Sequence, residues 1–547
     1  PSANLASGTY GGTQNITLST VTEEATIYYT NDNSEPTTAS TQYTTGIEVV
    51  SNTVIKAIAV KEGLENSSVS TFEYVIFAGG EGSAANPYQV ATVEQLNNVR
   101  YHLYKDFQQT ADINLSSYNT GSGWEPIGNN SSSFDGTFDG NGYTISNLTI
   151  NRSTNNVGLF GSTGTTAKIQ NVKLENTNVT GNWYTGALAG TNYGTITNSY
   201  VMGAVTGTGS HVGGLVGYNE SPISDSYTAG SVEGKRCTGG LVGYHSHGTI
   251  THSYSTSTVK GEGDVGGLVG STTDGTITNS YARGAVTGTE NCVGGLVGFN
   301  SHATITNAYA TGVVKGIDDV GGLVGAKGSD STVAKSYWDI TTSGTEASAG
   351  GTGKNTTDMK LQGTYVDWDF TGIWSTEGSK NDGYPFLIKD RYAITVANVV
   401  GGTATVSTNP ANEAAEGATV TVSIANIEAD KQFRSIIVTD ADSGAVATTI
   451  VTAGKSYTFT MPAKAVIVTV AVQWAITVVY GDVNDDGEID VTDAVLVLKH
   501  ITDTSTLNAQ QQIAANVSGD AELDITDAVL ILKHITDPNT PFPIENP

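Results

Sequence analysis

Charge is what this 547-residue chain most lacks: Asp, Glu, Lys and Arg make up 14% of it, and only 25 residues are Lys or Arg against 53 Asp or Glu. No basic face exists to neutralise phosphates, which excludes nucleic acid and anionic membrane as partners. The net charge of −28 favours divalent cations instead. Cysteine is nearly absent too; Cys237 and Cys292 are the only two, so no disulfide framework supports the fold. Long hydrophobic runs are missing. The longest, AVIVTVAVQWAITVVY from Ala465 to Tyr480, is broken by Thr469, Gln473 and Thr477. It falls short of the roughly 20 residues of a spanning helix and reads as two strands, with no membrane span. No signal peptide is visible at Pro1, as in a mature or trimmed product, and an exported, soluble chain is expected. There is no nucleophile elbow, phosphate loop or zinc-protease motif. No Pro/Ser-rich linker precedes Gly481, which points to a rigid rod held in an assembly.

What is abundant is glycine, 66 residues of it, with Thr, Ser, Asn, Val and Ile. That composition predicts a mainly β, turn-rich protein, and the length demands several domains. From Val157 the chain repeats VGLFG, TGALAG, VGGLVG and TGGLVG, placing Leu159, Leu188, Leu215, Leu241, Leu268, Leu296 and Leu323 in one column at 27 residues per step. TITNSY-like and GAVTG-like phrases follow in each unit. They align Ile196, Ile250, Ile277 and Ile305, then Tyr200, Tyr227, Tyr254, Tyr281 and Tyr309, then Val205, Val232, Val259, Val286 and Val314. One unit cannot bury its own leucine and valine. Stacking at about 4.8 Å per rung makes the columns a continuous core, so the middle is a parallel β-helix, seven rungs and about 34 Å long. An amphipathic helix near Val93–Leu103 is placed to cap its open edge.

Polar residues form columns as well. Tyr184, His211, Cys237, Asp264, Cys292 and Asp319 precede successive VGG or TGG phrases. Two rungs separate Cys237 from Cys292 by about 9.6 Å, beyond disulfide reach, so both are expected as free thiols. Metal ligation by the His211/Cys237/Asp264/Cys292/Asp319 column competes with a plain solvated edge, which is favoured; its role stays open. Asp264 and Asp319, about 9.6 Å apart, are the best carboxylate pair for glycoside hydrolysis, though Cys292 intervenes. His247 and His302 share a register too widely spaced for one zinc, and His245 adds little. Asn198, Asp225, His252, Asn279 and Asn307 read as a polar ladder.

These units resemble the GLUG repeat of bacterial surface proteins. PYQVATVEQLNNV and WEPIGNNSSSFDGTFDGNGYTISNLTI resemble that family's lead-in, and SYWDITTSG and DWDFTGIW its exit, giving a β-helix with caps over 79–390.

The chain ends by writing one acidic phrase twice. In DVNDDGEIDVTD, Asp482, Asn484, Asp486, Glu488, Asp490 and Asp493 fall at positions 1, 3, 5, 7, 9 and 12, with Gly487 at 6. Calcium takes six to eight hard oxygens, and alternate residues of a tight loop can aim them at one point. Thirty-four residues on stand Asn516, Ser518, Asp520, Glu522, Asp524 and Asp527, with Ala521 at position 6. Two Ca²⁺ sites are expected, the second weaker for its lost carboxylate and strained turn. The competing reading, aspartates as helix caps, is disfavoured by the duplication. In the following helix, Val495, Leu498 and Ile501 are available for one apolar face.

A calcium loop followed by one helix, twice, resembles the dockerin module over 481–547. The resemblance implies docking to a cohesin-type module through Val491, Thr492, Leu498 and Lys499, and through Ile525, Thr526, Leu532 and Lys533 in the copy. The near-identity of the two sets lets either face dock after a half-turn. Residues 1–78, with SGTY, IYYTNDNSEPT and IKAIAVKEG, resemble the β-sandwich that ends chitobiases, an accessory module without catalytic residues. Alternation there buries one of Tyr28 and Tyr29. Residues 391–480, with GGTATVS and YTFTMPA, resemble β modules of the internalin B-repeat type.

The expectation is a secreted or cell-surface, non-catalytic, structural or adhesive protein. Its terminal module would dock to a cohesin-type partner or to another copy of itself, building a fibre if the contact does not close. The alternative is a cohesin-anchored component that degrades or binds extracellular polysaccharide through the β-helix surface.

Overall fold

The computed structural model describes residues 1–547 apart from 377–379, 389–390, 398, 410–412, 416–418, 429–430, 441–443, 453–454, 462–464, 475–478, 505, 521 and 546–547. The protein is mainly β, with a central β-solenoid and a helical C-terminal region, and divides into two compact units, Pro1–Ile388 and Lys389–Pro547.

In the first unit, runs rich in β-branched and aromatic residues give a five-stranded sheet. Its spatial order is Gly8–Gly11, Ser70–Phe77, Thr53–Val60, Thr26–Thr30 and Thr41–Gln42. The pair Gln14–Ile16 and Ile47–Val49 packs with it around Ile16, Ile27, Val49, Ile55 and Tyr74. Alternation, expected to bury one of Tyr28 and Tyr29, leaves both half-buried. Ile27 takes the core position, and Tyr29 leans edge-on against Tyr43 at 6.4 Å. Phe77, at the end of this sheet, stacks on Tyr88 at 4.6 Å and enters the solenoid core.

One turn of the solenoid shows how the repeat folds. Asp264, Asp274 and Asn279 are left-handed corners with φ of 52°, 54° and 45°. Between them run Val265–Gly266, Val269–Thr273 and Thr276–Ala282, the last bent at Asn279, and Val286–Gly288 follows. Asn, Asp and His accept this backbone more readily than other non-glycine residues. The predicted polar ladder is therefore a column of corners, in which Asn198 Nδ2 donates to Asn171 Oδ1 at 2.9 Å. The serine after each corner turns inward: Ser226 Oγ accepts the Ser199 N–H at 3.2 Å and donates to the Ser224 carbonyl at 2.7 Å. The tyrosine after it stacks on its neighbour, with ring centroids 4.6 to 4.9 Å apart from Tyr200 through Tyr309. In GGLVG the leucine is buried, and a Cβ at Gly267 would drive into the Gly295 carbonyl of the next turn.

The GLVG strands stack seven deep, from Phe160–Ser162 to Val324–Lys327. Parallel pairing begins earlier, however, at Tyr88–Val90, Phe107–Gln109 and Thr137–Asp139. The solenoid consequently has about nine turns rather than seven. The lead-in turns escape the repeat pattern because partners there lie 19 residues apart (Tyr88 and Phe107) or 31 (Phe107 and Phe138), not 27. Thr92 and Gln95 form a capping box that starts the helix Val93–Asn98, and Leu96 and Val99 bury into the solenoid core. At the other end, Gly322 N–H donates to the Ala347 carbonyl at 2.8 Å, covering the last turn. The exit segment then folds back along the side, packing Met359, Tyr365, Trp368, Trp374 and Tyr384 over Tyr281, Tyr309 and Tyr337.

In the second unit, a five-stranded and a four-stranded sheet enclose Val420, Val422, Val438, Phe459 and Val468. The long apolar run supplies the central strand Val466–Trp474; its continuation through Thr477 lies outside the described residues. Helices Val491–Ile501, Ala509–Ala515 and Ile525–Thr536 close the chain around Val483, Val497, Val517 and Ile531.

Candidate functional site

The first acidic loop is ordered around its two end carboxylates. Asp482, 5% exposed, accepts the N–H groups of Asp486 at 3.1 Å and Gly487 at 2.9 Å. Asp493, fully buried, accepts from Val483 at 2.7 Å, Asn484 at 3.1 Å and Asp490 at 2.9 Å. Between them Asn484 Oδ1 accepts from Asp486 N–H and Asp486 Oδ1 from Glu488 N–H, both at 3.0 Å. Asp490 caps the helix through the Thr492 N–H at 2.7 Å and forms a capping box with Asp493. Loop and cap are thus the same residues rather than alternatives.

The second loop repeats the scheme with fewer charges. Asn516 Oδ1 accepts from Gly519 N–H at 2.9 Å, Asp527 accepts from Ser518 at 2.9 Å and Asp524 at 3.0 Å, and Asp520 accepts from Glu522 at 3.0 Å. Its cap, Asp524, is held below the usual carboxylate range by the Thr526 hydroxyl and N–H. Position 4 is left-handed in both copies, at Asp485 (φ 61°) and Gly519 (φ 77°). The second loop therefore has a glycine at a position where backbone strain also arises, which the comparison at position 6 misses. Ala521 itself lies outside the described residues.

The loop side chains spend these oxygens on their own backbone, and among the described residues no three His, Cys, Asp or Glu side chains converge on one point. The donor set nonetheless fits a hard divalent cation. Asp482, Asp493 and Asp527 are buried carboxylates that no described Lys or Arg neutralises, and buried charge demands a counter-charge.

The helices after the loops turn Ala494, Val497, Ala528 and Ile531 inward. This corrects the expected apolar face: Val495 and Ile501 point outward, and Leu498 is half-buried. The outward residues form their own stripe. Val491, Val495, Ile525, Val529 and Leu532 are 36% to 62% exposed, and Thr492, Lys499, Thr526 and Lys533 lie exposed beside them. The i, i+4, i+7 spacing of Val491, Val495 and Leu498, repeated 34 residues on, was the signal for Val495 and Val529.

On the solenoid, Tyr184, His211, Cys237, Asp264, Cys292 and Asp319 are all left-handed corners, with φ between 49° and 62°. Both cysteines are free and buried. Cys237 Sγ donates to Asp264 Oδ2 at 3.7 Å and Cys292 Sγ to Asp319 Oδ2 at 4.0 Å. Burial and the neighbouring carboxylates push both thiols up to about 12. Burial also raises Asp264, which both thiols engage. Both thiols are protonated, Cys237 standing between His211 and Asp264 and Cys292 between the two aspartates. His247 and His302 are exposed corners beside Asp274 and Asp330, each at 3.9 Å. His245 is different. It sits inside the solenoid at the end of a one-way chain in which Thr163 donates to Asn192, Asn192 to Asn219, and Asn219 Nδ2 to His245 Nδ1 at 3.0 Å. The imidazole Nε2–H then donates to the Gly248 carbonyl at 3.1 Å, and burial pushes the ring down to about 4.

Three domain families match the chain. Residues 5–71 match the chitobiase/β-hexosaminidase C-terminal domain, residues 480–536 the dockerin type I domain, and residues 234–260, 261–287 and 289–315 the GLUG motif. The chain therefore carries GLUG repeats in a β-solenoid and a dockerin type I domain, from which calcium binding follows. It is 42% identical over 144 residues to an Evansella cellulosilytica protein designated a Gly-rich membrane protein, and 41% identical over 140 residues to halomucin of Haloquadratum walsbyi. Those segments cover 24% and 23% of this chain but only 16% and 2% of the relatives' own lengths. A Bacteroides ovatus crystal structure carrying an immunoglobulin A1 protease designation aligns with a TM-score of 0.38 at 22% identity, covering 57% of this chain and 95% of that one. Among the described residues no helix is long and apolar enough to cross a membrane.

Proposed function

We propose that the protein is a secreted or cell-surface structural or adhesive component whose β-solenoid is displayed through its C-terminal module. The modules are divided at 78, 390 and 480, with 391–480 as a spacer. The observation that carries this reading is the twin outward stripe, exposed at Val491 and Val495 and again at Ile525, Val529 and Leu532, with Leu498 half-buried in line with the first, each on a helix that starts from an acid-lined loop. Asp482, Asn484, Asp486, Glu488, Asp490 and Asp493 hold one Ca²⁺, and Asn516, Ser518, Asp520, Glu522, Asp524 and Asp527 hold a second more weakly. The ion supplies the positive charge that the buried aspartates lack and fixes each helix start. The stripe, with Thr492, Lys499, Thr526 and Lys533, then docks to a cohesin-type module or to another copy of the chain. The twofold repetition of the stripe supports docking in either of two orientations.

Sedimentation and negative-stain microscopy of the chain with calcium and with chelator, beside Asp482→Ala/Asp493→Ala, test the reading. Calcium-dependent polymers absent from the variant mean self-assembly. Monomers that bind an immobilised cohesin only with calcium mean a separate partner. Monomers indifferent to calcium in both assays reject the proposal.

A further inference from the structure

The N-terminal turns of the solenoid carry contiguous rings at positions where later turns, Phe299 apart, carry none. Trp183, Tyr184, His211, Tyr218 and Tyr244 lie on consecutive turns in one continuous contact. His211 lies 5.0 Å from Tyr184, 5.7 Å from Trp183 and 5.3 Å from Tyr244, and Tyr218 lies 5.6 Å from Tyr244. Trp183 is 43% exposed, Tyr184, Tyr218 and Tyr244 are half-buried, and His211 is half-buried with its Nδ1 turned inward.

The repeat supplies its own control. The register position of Tyr218 and Tyr244 is held by Thr191 one turn before and by Ser271 and Ala326 on later turns, with Phe299 between those two. The position of Tyr184 and His211 is held later by Cys237, Asp264, Cys292 and Asp319. Those turns fold with the same pairing, so the solenoid does not need the rings. Five contiguous rings that reach the surface, and that the fold does not require, are a surface kept for something else.

Their chemistry narrows the occupant. Burial pushes His211 down to about 4, so its ring is neutral near pH 7. The carboxylate bonded within the patch, Glu220, accepts from the Tyr218 hydroxyl, and Tyr244 Oη shares a hydrogen bond with Thr273 Oγ1 at 3.0 Å. Arg236, on the neighbouring turn, is paired with Glu290 at 2.7 Å. Uncharged rings bordered by hydroxyls and one carboxylate, Glu220, on a chain of net charge −28, suit a ligand with apolar C–H faces, many hydroxyls and no negative charge. We infer that Trp183, Tyr184, His211, Tyr218 and Tyr244 form a binding face for a neutral polysaccharide. The face deepens the adhesive reading but does not depend on the calcium-dependent docking.

The test is retention of the full chain on insoluble chitin, on cellulose and in gels containing hydroxyethylcellulose, with polygalacturonate as the anionic comparison. The variant is Trp183→Ala/Tyr218→Ser/Tyr244→Ser, which installs at 218 and 244 the serine that residue 271 already uses in the same register. Phe299→Ser, outside the patch, is the control, with circular dichroism confirming each fold. The expected result is retention on at least one neutral glycan, lost at least tenfold in the triple variant and kept in Phe299→Ser and Asp482→Ala. Retention on polygalacturonate alone, retention that survives the triple variant, or none on any neutral glycan overturns the inference. Loss in Asp482→Ala alone places the contact in the docking module and also overturns it.

Discussion

Inside a β-solenoid each residue meets its counterpart one turn away, so a single side chain is judged by the column it stands in. His245 stands in a column with Asn219, Thr272 and Asn300. As a neutral ring it accepts from Asn219 and donates to Gly248; a proton on Nδ1 would set two donors face to face. The ring titrates near 6.5 when unfolded and about 4 when folded. Above pH 6.5 it leaves stability unchanged. As pH falls from 6.5 towards 4 the unfolded chain takes up the proton first, and the loss, on the order of 3 kcal/mol, is complete below about 4. The nearest titratable neighbour is His247, paired with Asp274, and its charge pushes in the same direction. His211, also held to about 4, adds to the same window. Urea midpoints at pH 7 and pH 4.5 should fall further apart in the wild type than in His245→Asn, which puts the column's own residue there. Equal separation would show that the carboxylates alone set the acid response.

At the scale of the element, the solenoid is held by ladders and the loops by their end carboxylates. Tyr309 is fully buried beneath the exit segment; its hydroxyl donates to the Pro385 carbonyl at 2.6 Å and accepts from Asn381 Nδ2 at 2.7 Å. Tyr309→Ala should cost about 3–5 kcal/mol and open the exit segment to protease within 355–388 before the turns are cut. Cleavage first within 200–300 would contradict that order. The two loops proposed to hold calcium, the second more weakly, give a second prediction. Asn516→Asp restores the lead carboxylate of the weaker loop and should tighten its calcium binding at least tenfold by calorimetric titration, while Asp482→Ala should abolish the tighter site. Much of this was legible beforehand. The 27-residue period named the leucine, isoleucine, tyrosine and valine columns, and the 34-residue repeat named both loops. The lead-in turns were not legible, because steps of 19 and 31 residues carry no period.

For the whole molecule, the two compact units predict separate behaviour on heating. Calorimetry with chelator should show the solenoid-bearing unit Pro1–Ile388 unfolding independently of Lys389–Pro547. Calcium at a hundredfold excess over its dissociation constant should stabilise only the latter, by about 2.7 kcal/mol per site. A calcium-dependent shift of the solenoid transition would mean that the units unfold together. What the amino-acid order determined by itself was everything that repeats: a period fixes which residues share a column, because one turn of backbone places like on like whatever surrounds it. It also set the two acidic loops proposed to hold calcium, whose candidate donors are neighbours in sequence. What only the tertiary structure decided was which columns lie side by side, where the exit segment folds back, and which helix face turns outward. Those depend on packing between distant segments. Val495 and Ile501 are as apolar as Val497, and only the small core of the domain selects Val497 for its interior.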